Sequence, residues 1–236
     1  MFDYLETLRQ IFIEGARYKY ILQGLTFSIG VTLFAAIIGV ILGIFVALMR
    51  ISKFYPLKNS KKFKDFNPLE GLAIWYTDII RGTPAVVQLM ILANIVFAGA
   101  RDMPVFIIAS LSFGINSGAY VSEIIRAGIE GLDKGQMEAA RALGMPYGVA
   151  MKEIIIPQAV KQILPALVSE FITLLKETSI VGFIGGVDLL RSANIITSQT
   201  YRGVEPLLAV GIIYLIMTGI FTKFMRKVEK GMKASD

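Results

Sequence analysis

The longest uncharged stretch of the chain runs for thirty residues, from Tyr20 to Met49, between Lys19 and Arg50. A run of roughly 18 or more apolar residues is long enough to cross a bilayer as a helix. The stretch also starts too late to belong to a secretory signal peptide, because the first nineteen residues carry six charges and no apolar core. The sequence therefore predicts an integral membrane protein.

Four further segments are candidates for membrane-crossing helices. Three are uncharged runs, at 82–100, 103–122 and 206–222, and the first of these is predicted to begin near Gly71 because residues 72–76 are also apolar. A weaker candidate, 157–176, contains Lys161, Pro165 and Glu170. We therefore predict an all-α integral membrane protein whose single domain, 1–236, has five spans, at about 20–50, 71–100, 103–123, 157–177 and 205–224.

Lysine and arginine indicate the orientation of these spans, since they accumulate in the cytoplasmic segments of membrane proteins. Two dense basic blocks occupy 50–64 and 223–233, with six and five Lys or Arg residues. Five spans place both blocks and the loop 123–153 on one side, with fifteen basic residues inside and seven outside. Four spans would separate the two blocks. The predicted topology has the N-terminus outside and the C-terminus inside, with the basic flanks solvated and partly in contact with anionic lipid.

The residue types that are missing exclude several kinds of chemistry. The chain has no His and no Cys, which excludes imidazole catalysis, histidine-ligated zinc, thiolate metal sites and disulfides; we predict no metal site. It also lacks the GxxxxGK[ST] loop that cradles nucleotide phosphates. The net charge of +6 is attributed to membrane topology, so no nucleic-acid partner is predicted.

The predicted cytoplasmic loop, about 124–156, is amphipathic rather than uniformly polar. Asp133 followed by Gln136 is typical of a helix start, and Gly144 followed by Pro146 is typical of a helix stop and a new start. We therefore predict two short helices that meet at a corner at 144–147. A protein-docking element and an amphipathic helix lying on the lipid surface fit these residues equally well.

The same loop resembles the EAA loop of ABC importer permeases. The resemblance is carried by Glu138-Ala139-Ala140, by Gly144 after three residues, and by Ile154 with Ile156-Pro157. Ile156 stands where the family pattern has leucine. The segments 81–84, with sequence RGTP, and 176–179, with sequence KETS, are similar to signatures of the polar-amino-acid subgroup.

This resemblance implies a type I ABC importer fold with a cytoplasmic coupling helix that docks on a separate ATPase subunit. ATP and Mg²⁺ would bind that subunit, so the chain itself would be neither an enzyme nor a cofactor carrier. The implied partners are a second permease subunit, identical or closely related, an extracytoplasmic binding protein and an amino-acid substrate, in a bacterial plasma (inner) membrane. The implied coupling residues are Glu138, Ala139, Ala140, Arg141, Gly144, Met145, Pro146 and Tyr147.

Glu170 is the most informative polar residue within the predicted spans, because an ionised side chain near the middle of a bilayer costs about 2.5–3.5 kcal/mol on insertion scales. It lies thirteen residues after Pro157, or about 20 Å along a helix. Pro165 removes a backbone hydrogen bond and frees the carbonyl of Lys161. The combination predicts a contact with a cationic group of the substrate; the alternative is an ion pair with Arg81 or a lysine.

Other polar residues in the spans are further candidates for substrate contact. Asp78 and Arg81 lie three residues apart on one helix face, where they either pair with each other or meet an ammonium and a carboxylate of the substrate. We also predict substrate contacts for Asn94, Asn116 and Tyr120, although hydrogen bonding between helices is the simpler interpretation of these three residues. The pattern Gly39-x-x-x-Gly43 is interpreted as helix packing.

The acidic candidates favour a substrate with a positive side chain, such as arginine, lysine or histidine. Glutamine or another polar amino acid is the alternative. A secondary transporter is a remote alternative, because the chain shows no internal repeat, and the sequence favours neither a channel nor a membrane-bound enzyme. The predicted external segment 178–205 is interpreted as a gate or as a contact for the binding protein.

Overall fold

The computed structural model describes residues 2–52, 54–56, 65–100 and 102–233. Its helices are α1 (Phe2–Phe12), α2 (Tyr18–Ile51), α3 (Pro68–Arg81), α4 (Ala85–Ile91), α5 (Val105–Glu130), α6 (Lys134–Ala142), α7 (Tyr147–Ala150), α8 (Ile156–Glu177), α9 (Leu189–Thr200) and α10 (Val204–Lys233). Short π-helical turns follow α4 and α7, and 3-10 turns follow α1 and α8. No strand occurs in these described ranges, so the fold class is all-α.

Some of the predicted segments lie outside the described residues. These are the short basic stretch 58–64, which includes Lys58, Lys61, Lys62 and Lys64, together with Lys53 and Arg101. The side chains of Lys230 and Lys233 are likewise outside the description.

Four of the five predicted spans correspond to single helices. α2 and α8 match 20–50 and 157–177 to within two residues, and α10 starts one residue before 205. α5 begins two residues later than predicted and continues to Glu130, seven residues into the predicted loop.

The second predicted span, 71–100, is wrong as a single helix. α3 ends at Arg81, and α4 begins only at Ala85. Pro84 has no backbone N–H to donate and disfavours helical geometry at the preceding residue, which explains why the chain breaks here. Hydropathy did not predict the break at 82–84, because the residues on both sides of it are apolar and give one continuous apolar segment.

Among the described helices, three are long and apolar enough to cross a membrane: α2, α5 and α10. The count becomes four if α3 and α4, with its π-turn, are taken together as one broken span. α8 is long enough but not apolar enough to be counted, in keeping with its charged residues. The five-span count and the orientation stay predictions.

The helices form two compact units. The first comprises Met1–Ala36, Pro84–Phe113 and Phe171–Phe224. Its apolar core has two clusters. One includes Val31, Leu89, Ala109, Phe113, Leu174 and Val181; the other includes Leu175, Leu189, Ala193, Val210 and Met217.

The second unit comprises Ile37–Thr83, Gly114–Glu170 and Met225–Asp236. Within it, the predicted small-residue packing of α2 is confirmed. A Cβ atom at Gly39 would lie 2.8 Å from Ser117 Cβ, and one at Gly43 would lie 2.5 Å from Val121 Cγ1. Both distances are shorter than carbon atoms tolerate, so α2 and α5 approach closely only because these positions are glycine.

We expect Gly43→Leu to destabilise the protein by about 1–3 kcal/mol, the usual cost of forcing extra carbon atoms into a filled contact. The measurement is the temperature at which detergent-solubilised protein loses its monodisperse size-exclusion peak. Gly219→Leu on α10 is the matched control, since a Cβ there meets no atom within 4 Å. Equal loss of stability in the two variants would contradict the packing assignment.

Candidate functional site

The two helices predicted in the loop 124–156 are present and meet at a sharp turn. α6 ends at Ala142, Gly144 takes a left-handed φ of 84°, and Pro146 precedes the first residue of α7. Met145 N donates to Ala140 O at 3.1 Å, and Gly144 N donates to Arg141 O at 3.1 Å. This pair of bonds closes a Schellman motif, which satisfies the last carbonyls of α6 and requires the left-handed residue that glycine supplies.

Side-chain bonds fix the two ends of α6. The Arg141 guanidinium donates to Met145 O at 2.8 Å across the turn. At the start of the helix, Asp133 Oδ1 accepts from Gly135 N at 2.8 Å. The predicted helix start is therefore present, although the cap is made to Gly135 and not through Gln136.

The corner exposes several side chains, among them a large apolar one. Leu143 is 84% exposed, and Glu138, Ala139, Pro146 and Tyr147 are exposed as well. Ala140 is instead buried within the second unit. Sequence reasoning missed Leu143; the signal was a large apolar residue directly before the Gly144 helix stop.

Glu170 of α8 contacts α5 within the second unit. Its Oε1 accepts a hydrogen bond from Ser117 Oγ at 2.8 Å, and the residue is half-buried. The predicted alternative was an ion pair with Arg81 or a lysine; among the described residues, the carboxylate that pairs with Arg81 is that of Glu123. The hydrogen-bond donor that the structure shows for the Glu170 carboxylate, the Ser117 hydroxyl, is neutral.

The predicted pairing of Arg81 with Asp78 is also replaced by the contact with Glu123. Arg81 Nη1 lies 3.6 Å from Glu123 Oε2, and its guanidinium carbon lies 5.5 Å from the centre of the Tyr120 ring. Glu123 was not among the predicted site residues. A carboxylate near the end of a predicted span could have pointed to Glu123. Nothing in the sequence indicated its partners, because Arg50 on α2 and Arg81 on α3 are distant from it along the chain.

Arg81, Tyr120 and Glu123 line one open cavity of about 460 Å³ in the second unit. Gln162 and the small residues Ala127, Gly128 and Ala166 complete much of its wall. A cavity with a guanidinium, an aromatic ring and a carboxamide around small apolar residues suits a polar organic ligand of modest size. It brings together two of the six predicted contact residues.

The remaining predicted contact residues are not part of this cavity lining. Asp78 is exposed, and Asn116 is buried in α5. Asn94 belongs to the first unit, where its side chain donates to Met90 O at 2.9 Å, one turn earlier in the same stretch of helix. That local bond gives Asn94 a backbone partner in place of the predicted bond between helices.

Asp188 organises the predicted external segment 178–205. The residue is fully buried in the first unit, and its carboxylate accepts from the backbone N–H groups of Gly182, Leu190 and Arg191 at 2.8, 2.7 and 3.0 Å. Burial raises the pKa of the Asp188 carboxyl above its ordinary value, while these bonds oppose the rise. Its role is to cap α9 and fix the turn before it.

Comparisons with known proteins place the chain in a family of membrane transport proteins. Residues 62–234 match the model of the family described as binding-protein-dependent transport system inner membrane component. The chain is 42% identical to the arginine transport system permease protein ArtQ of Bacillus subtilis (strain 168), covering 99% of both chains. It is 37% identical to a putative glutamine transport system permease protein GlnP of Rickettsia bellii (strain RML369-C), covering 100% of both.

A solved structure is also similar. The crystal structure of an amino acid ABC transporter with histidines includes a chain with 43% identity and a TM-score of 0.82, with 93% of this chain and 97% of that chain covered. A methionine ABC transporter, MetNI, has a TM-score of 0.73 at 14% identity and shows the fold alone. Members of this family are permease subunits and not enzymes; the ATPase is a separate subunit. The chain therefore belongs to the family of binding-protein-dependent transport system inner membrane components, as a permease of an amino acid ABC importer.

Proposed function

We propose that this chain moves a polar, cationic amino acid such as arginine, lysine or histidine into the cytoplasm by alternating access. The observation that carries the charge preference is Glu170, a half-buried carboxylate whose hydrogen-bond donor is the neutral hydroxyl of Ser117. A carboxylate inside a membrane protein is stabilised most by a cation. A substrate with a positive side chain supplies that cation during transport.

Arg81 supplies the complementary charge in the proposed site. Its guanidinium faces the cavity that Tyr120 also lines, and guanidinium groups pair well with carboxylates. We assign Arg81 to the substrate carboxylate, Glu170 to the positive side chain, and Asp78 to the ammonium group. Asn116 and Tyr120 of the second unit contribute hydrogen bonds to the substrate, and Asn94 is a separate candidate contact within the first unit.

The energy for transport is proposed to enter at the α6–α7 corner. The corner, with exposed Leu143 and Tyr147, docks on a separate ATPase subunit that binds ATP and Mg²⁺. Two permease subunits, each crossing the bacterial plasma membrane five times with the N-terminus outside, form the path. A solute-binding protein delivers the amino acid from outside.

Glutamine is the second candidate substrate. Its support is the set of relatives named as glutamine permeases, which are 37% identical to this chain over its whole length in one case. Glutamine has no charge with which Glu170 would pair, so the two candidates predict different effects of that carboxylate.

The test is uptake by proteoliposomes that contain this permease, its ATPase and its binding protein. We expect ATP-dependent uptake of L-arginine, with L-lysine and L-histidine competing better than L-glutamine. A matched preparation with the ATPase inactivated controls for leakage. Uptake of glutamine in strong preference to arginine would overturn the cationic assignment, and uphill uptake without the ATPase would overturn the importer mechanism.

A further inference from the structure

Glu123, which the transport proposal does not use, is the centre of an ion cluster that includes Arg81. Its Oε1 lies 2.7 Å from Arg50 Nη1, and its Oε2 lies 2.9 Å from Arg126 Nη2 and 3.6 Å from Arg81 Nη1. Arg126 also pairs with Glu130. Three guanidinium groups and two carboxylates leave one net positive charge at the edge of the 460 Å³ cavity.

The three arginines are held unequally. Arg50 has the shortest ion pair with Glu123 and also donates to Thr77 Oγ1 at 3.1 Å. Arg126 has two carboxylate partners. Arg81 has the longest of the three ion pairs with Glu123, and its side chain is 44% exposed, against 21% for Arg50 and 28% for Arg126.

Arg81 is therefore the partner that Glu123 can release at least cost. Glu123 is only 15% exposed, and if Arg81 moved away it would keep two cations within 3 Å, so its charge would not be left unpaired. The excess positive charge of the cluster attracts an anion, and Arg81 is the arginine that lines the cavity.

We propose that Glu123 is the resting partner of the Arg81 guanidinium at the cavity, and that a substrate carboxylate displaces Glu123 from Arg81. Glu123 thus competes with the carboxylate of every amino acid, and its competition weakens binding and favours release. The inference rests on the proposed function, because it requires Arg81 to meet the substrate.

The test measures the dissociation constant of radiolabelled L-arginine for the purified permease–ATPase assembly in nanodiscs, without binding protein. We expect Glu123→Gln to tighten arginine binding about three- to fivefold, the range for loss of a partly exposed ion pair. Agmatine, which is arginine without its carboxylate, should bind equally to both proteins. A general loosening of the fold would weaken both ligands and would tighten neither.

Glu130→Gln is the matched control. It removes the same charge from the same cluster, but the Glu130 carboxylate pairs with Arg126 and, among the described residues, forms no ion pair with Arg81. We expect it to leave arginine binding unchanged within about twofold. Equal tightening in Glu130→Gln would overturn the proposal, since net charge alone would then explain the effect.

Two further variants keep the test decisive. Glu123→Asp retains the charge for Arg50 and Arg126 but shortens the reach toward Arg81, so it should also tighten arginine binding if Glu123→Gln does not assemble. Arg81→Ala should weaken arginine binding. If Arg81→Ala weakens arginine binding but neither Glu123 variant tightens it, the displacement of Glu123 is wrong and the contact of Arg81 with substrate still stands. If Arg81→Ala has no effect on arginine binding, both the contact and the displacement are wrong.

Discussion

Leu143→Asp should lower substrate-stimulated ATP hydrolysis at least about tenfold in an assembly of this permease with its ATPase and binding protein. Leu143 is 84% exposed on the α6–α7 corner, and a central apolar contact in an interface is worth about 1–3 kcal/mol or more. A carboxylate at position 143 would lose its water on docking, and burying a charge without a partner would weaken the interface. The measurement is hydrolysis with and without loaded binding protein, together with copurification of the ATPase.

The matched control is Leu143→Met, which keeps an apolar side chain at the same position and should retain hydrolysis within about twofold. Gly144→Trp should also uncouple the ATPase, but it adds backbone strain at a left-handed position to the steric effect, so Leu143 gives the cleaner result. Full substrate-driven hydrolysis by Leu143→Asp, in a properly folded permease, would remove this corner as the docking element.

Glu170→Gln should lower transport of L-arginine by about tenfold or more while changing L-glutamine transport by less than about threefold. The variant retains a polar group for the Ser117 hydroxyl but loses the negative charge. Only a substrate with a positive side chain depends on that charge. The measurement is initial uptake, and substrate-stimulated ATP hydrolysis, for both amino acids.

Glu153→Gln is the control for this second prediction, because it makes the same chemical change at an exposed position between α7 and α8. It should leave the ratio of arginine to glutamine transport unchanged. An equal loss for both amino acids in Glu170→Gln would reduce Glu170 to a structural role and favour the glutamine alternative.

Local rules of sequence predicted the corner well. Gly144 is required by a left-handed φ and Pro146 by the start of a helix, and both requirements act within four residues of the chain. The long apolar helices were predictable for a similar reason, since a span depends on its own hydropathy. The break at 82–84 was also readable from Gly82 and Pro84, but hydropathy alone ignored it.

The contacts of the site depend on packing and were not predictable from spacing. Asp78 and Arg81 share a helix face, yet the packing of α2, α3 and α5 gives Arg81 a different carboxylate, Glu123, 42 residues further along the chain. Asp188 differs from Arg81, because its bonds are local: the N–H of Leu190 lies two residues after it, and that of Gly182 six residues before it. Pairing across long sequence separations follows from tertiary structure.

Site-directed labelling tests the central claim, that the α6–α7 corner is a cytoplasmic docking element for the ATPase. The chain has no cysteine, so Leu143→Cys and Tyr201→Cys each introduce a single reactive thiol. Tyr201 is 94% exposed in the predicted external segment and serves as the opposite-side control. We predict that a membrane-impermeant maleimide labels Leu143→Cys only in inside-out vesicles, and less when the ATPase is bound, whereas Tyr201→Cys reacts only in right-side-out vesicles. Labelling of Leu143→Cys from outside, or without protection by the ATPase, would contradict the account.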